Sequence, residues 1–273
     1  MTILFGTSGR PSTTSGNTIN GIQEVHRLGL DAMELEFVHS IYLKKDKAPS
    51  VKQEATLQKV KLSCHAPFYI NLASPDKAKL RASMDRILQS AQVASLAGAR
   101  DIVFHAGFYM KQDKKAVFKE IYKNIQSLST QLREQKINVY LRPEIAGKNS
   151  VFGSLEEILA IRKIPRVLPC IDFAHLYART CGGYNTQTHF ESILEKIEEQ
   201  LGKPALQKMH MHVSGIEYGP KGERNHCFLK ECNLKYRQLL KALKIYRVSG
   251  VLICESPAPE KDAILLKKTY QSL

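Results

Sequence analysis

The sequence contains no apolar run long enough to span a membrane and no CxxC pair of cysteines. The N-terminal apolar run is too short for a signal peptide, and no later stretch approaches about 18 uninterrupted apolar residues. We therefore expect a cytoplasmic protein that does not bind membranes. Several cysteines lie in apolar runs, which is typical of buried reduced thiols, so we expect all of them to be unpaired. The six cysteines are Cys64, Cys170, Cys181, Cys227, Cys232 and Cys254.

Acidic residues are few compared with basic ones. The 273-residue chain has 40 Lys and Arg residues against 26 Asp and Glu residues, so its formal net charge is +14 with neutral histidine. A positive excess of this size favours a polyanionic partner such as nucleic acid. Because 43% of the residues are apolar, the chain can also bury one large core.

Short apolar, β-branched runs predict eight strands separated by helical patterns. Most runs are continuous rather than alternating, which is typical of strands buried on both faces of a parallel sheet. The predicted strands are Ile3–Phe5, Ala32–Phe37, Lys61–His65, Asp101–His105, Asn138–Glu144, Leu168–Asp172, Lys208–Val213 and Val251–Glu255. The clearest helical patterns are 76–97, 115–134, 189–201, 234–246 and 260–270.

This alternation predicts an α/β fold, a (β/α)8 TIM barrel that forms a single domain over residues 1–273. No linker or low-complexity stretch interrupts it. A doubly wound open sheet is the alternative fold. The glycine-rich phosphate motif that such sheets often carry is absent after the first strand, where Gly6 and Gly9 lack the required spacing.

Six consecutive predicted strands end in a histidine or a carboxylate. Because the active sites of TIM barrels lie at the C-terminal ends of the strands, we expect these side chains to meet at one rim. The candidates, including two from the loop after the seventh strand, are His65, His105, Glu144, Asp172, His175, His212, Glu223, His226 and Glu255. Imidazoles and carboxylates suit zinc or manganese, and nine donors exceed one tetrahedral site. The sequence therefore predicts a cluster of two or three ions.

The other histidines are predicted to lie outside this donor set. His210 precedes His212 by two residues, so both side chains face the same side of the strand, and we expect His210 to orient a ligand. His26 lies in a predicted helix, and His39 and His189 lie outside the pattern of strand ends.

Six segments together resemble endonuclease IV, the metal-dependent apurinic/apyrimidinic (AP) endonuclease. They occur in family order and span nearly the whole chain. The segments are His65–Ser74, Val103–Gly107, Glu144–Gly147, Cys170–His175, Met211–Gly215 and Cys254–Pro257. The resemblance implies a TIM barrel with about three metal ions, usually zinc, that acts on duplex DNA containing abasic sites. A monomer is expected.

The resemblance also implies a ligand set for each ion. His65 and His105 hold one ion with Glu144, which bridges to a second ion held by Asp172, His212 and Glu255. His175 holds the third with Glu223 and His226. The family presents an aspartate and then a histidine two positions later, whereas this chain has Glu223, Asn225 and His226. The third site is therefore where the chain departs from the family pattern.

The implied reaction is hydrolysis of the phosphodiester 5′ to an abasic site, which leaves a 3′-hydroxyl and a 5′-deoxyribose phosphate. Metal ions lower the pKa of water, so no protein nucleophile is required. Glu144 is the candidate proton acceptor as well as a bridging ligand. By the same resemblance, Phe68 and Tyr69 form a wedge that enters the duplex, and Arg224 contacts phosphate.

Two other functions fit parts of the sequence. A metal-dependent sugar isomerase or epimerase uses similar donors on the same barrel with one or two ions, but it gives no reason for a charge of +14. A DNA-binding relative without turnover is suggested only by the altered spacing of Glu223 and His226. The number of donors and the pair Phe68–Tyr69 favour the nuclease.

Overall fold

Eight parallel strands surround a common axis in the computed structural model, which describes residues 2–273. The strands of the chain are β1 (Ile3–Ser8), β2 (Ala32–Glu36), β3 (Lys61–His65), β4 (Asp101–Phe104), β5 (Tyr140–Pro143), β6 (Cys170–Asp172), β7 (Met209–Val213), β8 (Gly215–Gly219), β9 (Gly222–Cys227) and β10 (Gly250–Cys254). The barrel strands follow the order β5, β4, β3, β2, β1, β10, β7, β6. A bridge between Glu144 and Cys170 joins the two ends. The predicted TIM barrel is confirmed.

Helices connect the strands and cover the outside of the barrel. They are α1 (Thr18–Arg27), α2 (Ala48–Leu57), α3 (Lys77–Leu96), α4 (Lys114–Glu134), α5 (Leu155–Ala160), α6 (Phe173–Arg179), α7 (Gln187–Leu201), α8 (Lys203–Leu206), α9 (Tyr236–Ile245) and α10 (Pro259–Ser272), with a 3-10 helix at Ile161–Lys163. The Asp76 carboxylate caps α3 by accepting hydrogen bonds from the backbone of Ala78 and Lys79. Within residues 2–273, no helix has the length and apolar content needed to cross a bilayer.

The core has two parts because the barrel wall separates them. The large apolar cluster includes side chains such as Phe104, Ile121 and Ile125, from a strand and the helix after it. Deep burial of such side chains is worth about 1.5–3 kcal/mol each. A smaller cluster of Leu4, Ala32, Val251 and Ile253 is separate from it.

A buried ion pair lies near the N-terminal ends of the strands. The Arg142 Nε donates to Asp101 Oδ1 at 2.7 Å, and its other nitrogens donate to the carbonyls of Pro169 and Lys208. These contacts satisfy both charges at the end of the barrel opposite the predicted rim.

The segment after β7 differs from the prediction in two ways. Strands β8 and β9 form an antiparallel hairpin where the sequence predicted only a loop. Cys227, the last residue of β9, forms a disulfide with Cys232, so the expectation of six reduced cysteines is wrong for this pair. The cause is a local turn, in which the Glu231 N–H donates to the Phe228 carbonyl and brings the two cysteines together. Cys181 is exposed, whereas the other three free cysteines are buried.

Candidate metal centre

Glu144 lies at the middle of the rim and contacts four histidines. It directly follows β5 and is 1% exposed. One carboxylate oxygen, Oε2, lies 3.1 Å from His65 Nε2 and 3.3 Å from His105 Nε2. The other, Oε1, lies 3.0 Å from His212 Nδ1 and 3.4 Å from His175 Nδ1. A single buried carboxylate thus joins the ends of β3, β4, β6 and β7.

The nine side chains predicted at the rim fall into three groups of donors. Within each group the candidate ligand atoms lie within 4.8 Å of one another. The groups are His65, His105 and Glu144; then Glu144, Asp172, His212 and Glu255; then His175, Glu223 and His226. These sets coincide with those that the family resemblance implies.

A β-bulge brings Glu223 and His226 to the same ion-sized space. In a regular strand, residues three apart face opposite sides. In the hairpin, Glu217 pairs with Asn225 and the next residue, Tyr218, pairs with Glu223, so Arg224 is an extra residue in β9. The altered spacing that distinguishes this chain from the family pattern is absorbed by this bulge.

Gly147 provides the space that the Glu223 side chain occupies. A Cβ atom on Gly147 would lie 2.6 Å from Glu223 Oε2 and 3.0 Å from a ring carbon of His175. The Glu223 N–H also donates to the Gly147 carbonyl at 3.0 Å. A glycine here therefore allows the hairpin to approach the loop after β5 closely.

Glu34 contacts a histidine of the centre from inside the barrel, and the sequence analysis did not identify it. It is completely buried in β2, and its Oε1 lies 2.9 Å from His212 Nε2. Its Oε2 accepts a hydrogen bond from Ser63 at 2.6 Å and lies 2.9 Å from His210 Nε2. His210 thus contacts Glu34, and its ring also packs against that of His212, with centroids 5.4 Å apart. With Cys170 and His212 it forms a fourth, completely buried group of possible donors.

Opposite pKa shifts occur side by side in the centre. Burial raises the pKa of Glu144, but the charges of His105 and His212 outweigh it and hold the pKa well below the usual range. Burial lowers the pKa of His105 to about 4 and raises the pKa of Asp172 to about 6. Such a mixture is typical of functional sites.

The residues fit divalent metal ions. Four carboxylates, Glu144, Asp172, Glu223 and Glu255, crowd one rim, where they would repel one another without cations. The buried Nδ1 of His105 has no hydrogen-bond partner. Imidazole and carboxylate donors are the usual ligands of zinc and are compatible with manganese.

The residues predicted to contact DNA lie around this rim and are exposed. Phe68 is 41% and Tyr69 is 60% exposed on the loop after β3, and the Phe68 ring packs edge-on against His39. Arg224 is exposed on β9. His26, His39 and His189 are exposed and belong to none of the donor groups among residues 2–273.

A second carboxylate that the sequence analysis missed, Glu36, lines a cavity beside the centre. The cavity has a volume of about 630 Å³ and is also lined by Arg10, Thr14 and Tyr42. The Oε1 of Glu36 and the Oγ1 of Thr14 are buried without hydrogen-bond partners. Burial raises the pKa of Glu36 to about 8.

Residues 22–270 match the family model described as a xylose isomerase-like TIM barrel. The chain belongs to this family. It is 44% identical over 271 residues to an uncharacterized protein of Methanocaldococcus jannaschii, covering 99% of this chain and 98% of that protein. A protein named "Probable endonuclease 4" from Aster yellows witches'-broom phytoplasma is 29% identical over 188 residues, which cover 67% of this chain and 63% of that protein.

Solved structures of the same fold carry different activities in their names. A D-tagatose 3-epimerase-like protein is 17% identical with a TM-score of 0.76, and the match covers 99% of this chain and 96% of that one. Endonuclease IV from Thermus thermophilus is 16% identical with a TM-score of 0.73, and the match covers 98% of both chains. At these identities the similarity establishes the fold of this family member, and its chemistry has to be argued from the site.

Proposed function

We propose that this protein is a metal-dependent AP endonuclease that hydrolyses the phosphodiester 5′ to abasic sites in duplex DNA. The observation that carries the proposal is the third donor group, His175, Glu223 and His226, which adds a third ion site to two that share Glu144. A sugar epimerase needs one or two ions and has no use for this group. We expect Phe68 and Tyr69, exposed on the loop that follows His65, to act as the apolar wedge that an extrahelical nucleotide requires.

The chain's own residues define the proton movements of this reaction. The three groups of donors would hold divalent ions, which when bound would lower the pKa of water and neutralise charge on the phosphate. Water attacks phosphorus, its proton passes to Glu144, and the bond to the 3′-oxygen breaks. That oxygen takes up a proton and leaves as the 3′-hydroxyl, while the phosphate stays on the 5′-deoxyribose. Arg224, exposed next to Glu223, is placed to contact a flanking phosphate.

The abasic site itself supplies part of the selectivity. A nucleotide must leave the duplex to reach a recessed rim, and extrusion costs least when no base has to be unstacked or unpaired. The net charge of +14 favours binding of DNA in general, and this contribution is strongly salt-dependent.

The direct test uses a labelled duplex with one tetrahydrofuran abasic analogue. We expect a single cut 5′ to the analogue, no cut in the matched intact duplex, and no cut after treatment with a chelator. Elemental analysis should find about three zinc or manganese ions per chain, the number that three catalytic sites would hold. An intact strand after long incubation with metal-loaded protein would refute the proposal.

One observation favours a sugar epimerase as the second candidate. The group Glu144, Asp172, His212 and Glu255 is by itself a complete one-ion site, and the nearby cavity contains the unpartnered Glu36 and Thr14 oxygens. A small polyol could donate hydrogen bonds to both oxygens. Exchange of a carbon-bound proton of a free ketose in deuterated water, with one or two ions per chain, would support this function instead.

A further inference from the structure

Exposed apolar side chains are concentrated on three neighbouring loops at the C-terminal rim. Besides Tyr42, Phe68 and Tyr69, the loop after β4 exposes Phe108 by 39% and Met110 by 62%. Neither of these two residues contributes to the metal centre. We use the term apolar ridge for Phe68, Tyr69, Phe108 and Met110.

The two loops of the ridge are connected through Asn71. The Asn71 Oδ1 accepts a hydrogen bond from the Phe108 N–H at 3.4 Å. Its Nδ2 lies 3.3 Å from the Met110 sulfur. Phe68 and Tyr69 lie just before Asn71 in sequence, with ring centroids 5.5 Å apart. The loops that carry the two pairs of side chains therefore lie next to each other.

Tyr109 holds Phe108 and Met110 at the surface. Its ring is buried, and its hydroxyl donates to the Glu157 carboxylate at 2.7 Å. The Lys114 ammonium lies 4.8 Å from the centre of the same ring. Tyr109 is thus anchored to the core, while Phe108 and Met110 on either side of it are exposed.

The backbone after Tyr109 is in a costly conformation. Met110 and Lys111 are consecutive non-glycine residues in the left-handed region, with φ of 47° and 62°. Such a residue typically costs about 1–3 kcal/mol, and strain of this kind is concentrated at functional sites. Other turns of the chain, such as those at Lys59 and Lys136, share this conformation, so it is the exposure of Met110 beside the rim that distinguishes this turn.

The surroundings of the ridge are basic. The loops after β2, β3 and β4, with the first turns of α2, α3 and α4, carry eight exposed lysines and three exposed aspartates. The lysines are Lys44, Lys45, Lys47, Lys77, Lys79, Lys111, Lys114 and Lys115, and the aspartates are Asp46, Asp76 and Asp113. Two of these aspartates, Asp76 and Asp113, cap helices and accept backbone hydrogen bonds there. The positive charge around the ridge therefore suits a polyanion, and the ridge itself suits an apolar space within that polyanion, such as the gap at a missing base.

We propose that Phe108 and Met110 form a second DNA wedge that continues the one formed by Phe68 and Tyr69. The apolar ridge fills the gap left by the missing base and holds the flanking base pairs apart while the lysines track the phosphates. This inference rests on the proposed function, since it assigns the ridge to the abasic duplex that the metal centre would cut.

The test compares two double variants that remove similar apolar side chains. Phe108→Ala/Met110→Ala removes half of the ridge. Leu57→Ala/Leu96→Ala is the control, because these exposed leucines end α2 and α3 at the opposite end of the barrel. Each protein is first checked for an unchanged melting temperature and metal content. Single-turnover cleavage of a tetrahydrofuran duplex is then measured over a range of enzyme concentrations, and 2-aminopurine placed beside the analogue reports unstacking.

For the ridge variant we expect the half-saturating concentration to rise roughly 5- to 150-fold, as for the loss of one stacking contact. The 2-aminopurine signal should fall, while the limiting rate and the affinity for an intact duplex stay close to those of the wild type. The single variant Met110→Leu should bind the abasic duplex like the wild type, since leucine retains the apolar volume of methionine. The leucine control should match the wild type in every measurement.

Three results would overturn the inference, and they differ in what else they refute. If the wild type cuts the abasic duplex and the ridge variant binds and unstacks it equally well, only the second wedge is refuted. Only the second wedge is likewise refuted if the ridge variant loses the same amount of affinity for the abasic and the intact duplex. If the wild type neither cuts nor prefers the abasic duplex, the proposed function and the wedge both fail, and a protein partner becomes the alternative for this surface.

Discussion

Replacing Glu34 with glutamine should weaken metal binding without touching any proposed ligand. Glu34 is completely buried and lies 2.9 Å from His212 Nε2, on the side of the imidazole opposite Glu144 and Glu255. A carboxylate in this position favours a proton on Nε2, which leaves Nδ1 free to bind an ion. Glutamine has nearly the same shape but no negative charge.

The size of the effect follows from how Glu34 is held. Its other oxygen, Oε2, accepts a hydrogen bond from Ser63 and lies 2.9 Å from His210 Nε2. Together with the contact to His212, these contacts hold the carboxylate from three sides. Loss of such a supporting group typically costs 10- to 100-fold in metal affinity, which corresponds to about 1.4–2.8 kcal/mol. The loss should affect the ion that His212 would hold with Asp172 and Glu255 more than the other two.

The assay is a zinc titration of metal-free protein against a chromophoric chelator, with elemental analysis of the loaded protein. Ser63→Ala is the control, because it removes one hydrogen bond to Glu34 but leaves the charge beside His212. We expect a much smaller loss of affinity in the control. Wild-type affinity in Glu34→Gln, or an equal loss in both variants, would refute the argument that Glu34 acts through His212.

Three further predictions concern stability, the third ion and proton release. Asp101→Asn should lower the free energy of unfolding at neutral pH by about 3–5 kcal/mol, because it leaves the buried Arg142 without its partner; the metal content should not change. The charge of Arg142 outweighs burial and lowers the pKa of Asp101 below 3.8, so the ion pair stabilises the fold above about pH 4. At lower pH the free energies of unfolding of the wild type and Asp101→Asn should converge in denaturant titrations. Gly147→Ala should leave one ion fewer per chain by elemental analysis, because its Cβ would displace Glu223; an unchanged count would contradict the assignment of the third site. Burial lowers the pKa of His65, but Glu144 outweighs it and raises the pKa to about 10, so zinc binding at neutral pH should release protons; calorimetry in buffers of different ionisation enthalpy should detect this release.

The sequence was sufficient to predict the barrel and its rim because both depend on local patterns. Continuous apolar runs mark buried parallel strands, and a polar residue at the end of each run marks the rim. His65, Glu144 and Asp172 are of this kind, and the structure brings their side chains together. The ends of the predicted strands differ from the observed ones by a few residues, which does not change which end of the barrel they face.

Glu34 and Glu36 were missed because they lie within a strand, not after it. The strand-end criterion ignores residues inside an apolar run such as Ala32–Phe37. A signal was nevertheless available, since two carboxylates two residues apart in a buried strand face the same side and need partners there. Glu34 meets Ser63, His210 and His212, and these contacts depend on how strands distant in sequence are placed around the barrel.

The hairpin and its disulfide could not be predicted from spacing alone. Whether Glu223 and His226 can share an ion depends on the pairing register of β9 with β8, and a change of one residue reverses the side that each side chain faces. Because Arg224 is an additional residue in β9, the side chains of Glu223 and His226 face the same side of the hairpin. The pairing of Cys227 with Cys232 likewise depends on the turn between them. The sequence analysis inferred reduced thiols from cysteines that lie in apolar runs elsewhere in the chain, and this pattern gives no information about that turn.

The donors around Glu144 alone do not decide between the two candidate reactions, because a one-ion site of four ligands would serve either. The difference lies in what surrounds them. A small sugar needs a polar cavity, and the partly open one beside Glu36 has a volume of about 630 Å³. A duplex needs an open, basic and partly apolar rim. The bulge at Arg224 places a third donor group at the open edge, where Glu223 and His226 remain partly exposed. The proposed nuclease would use this third group, whereas an epimerase with one or two ions would not, so the number of ions per chain distinguishes the two reactions.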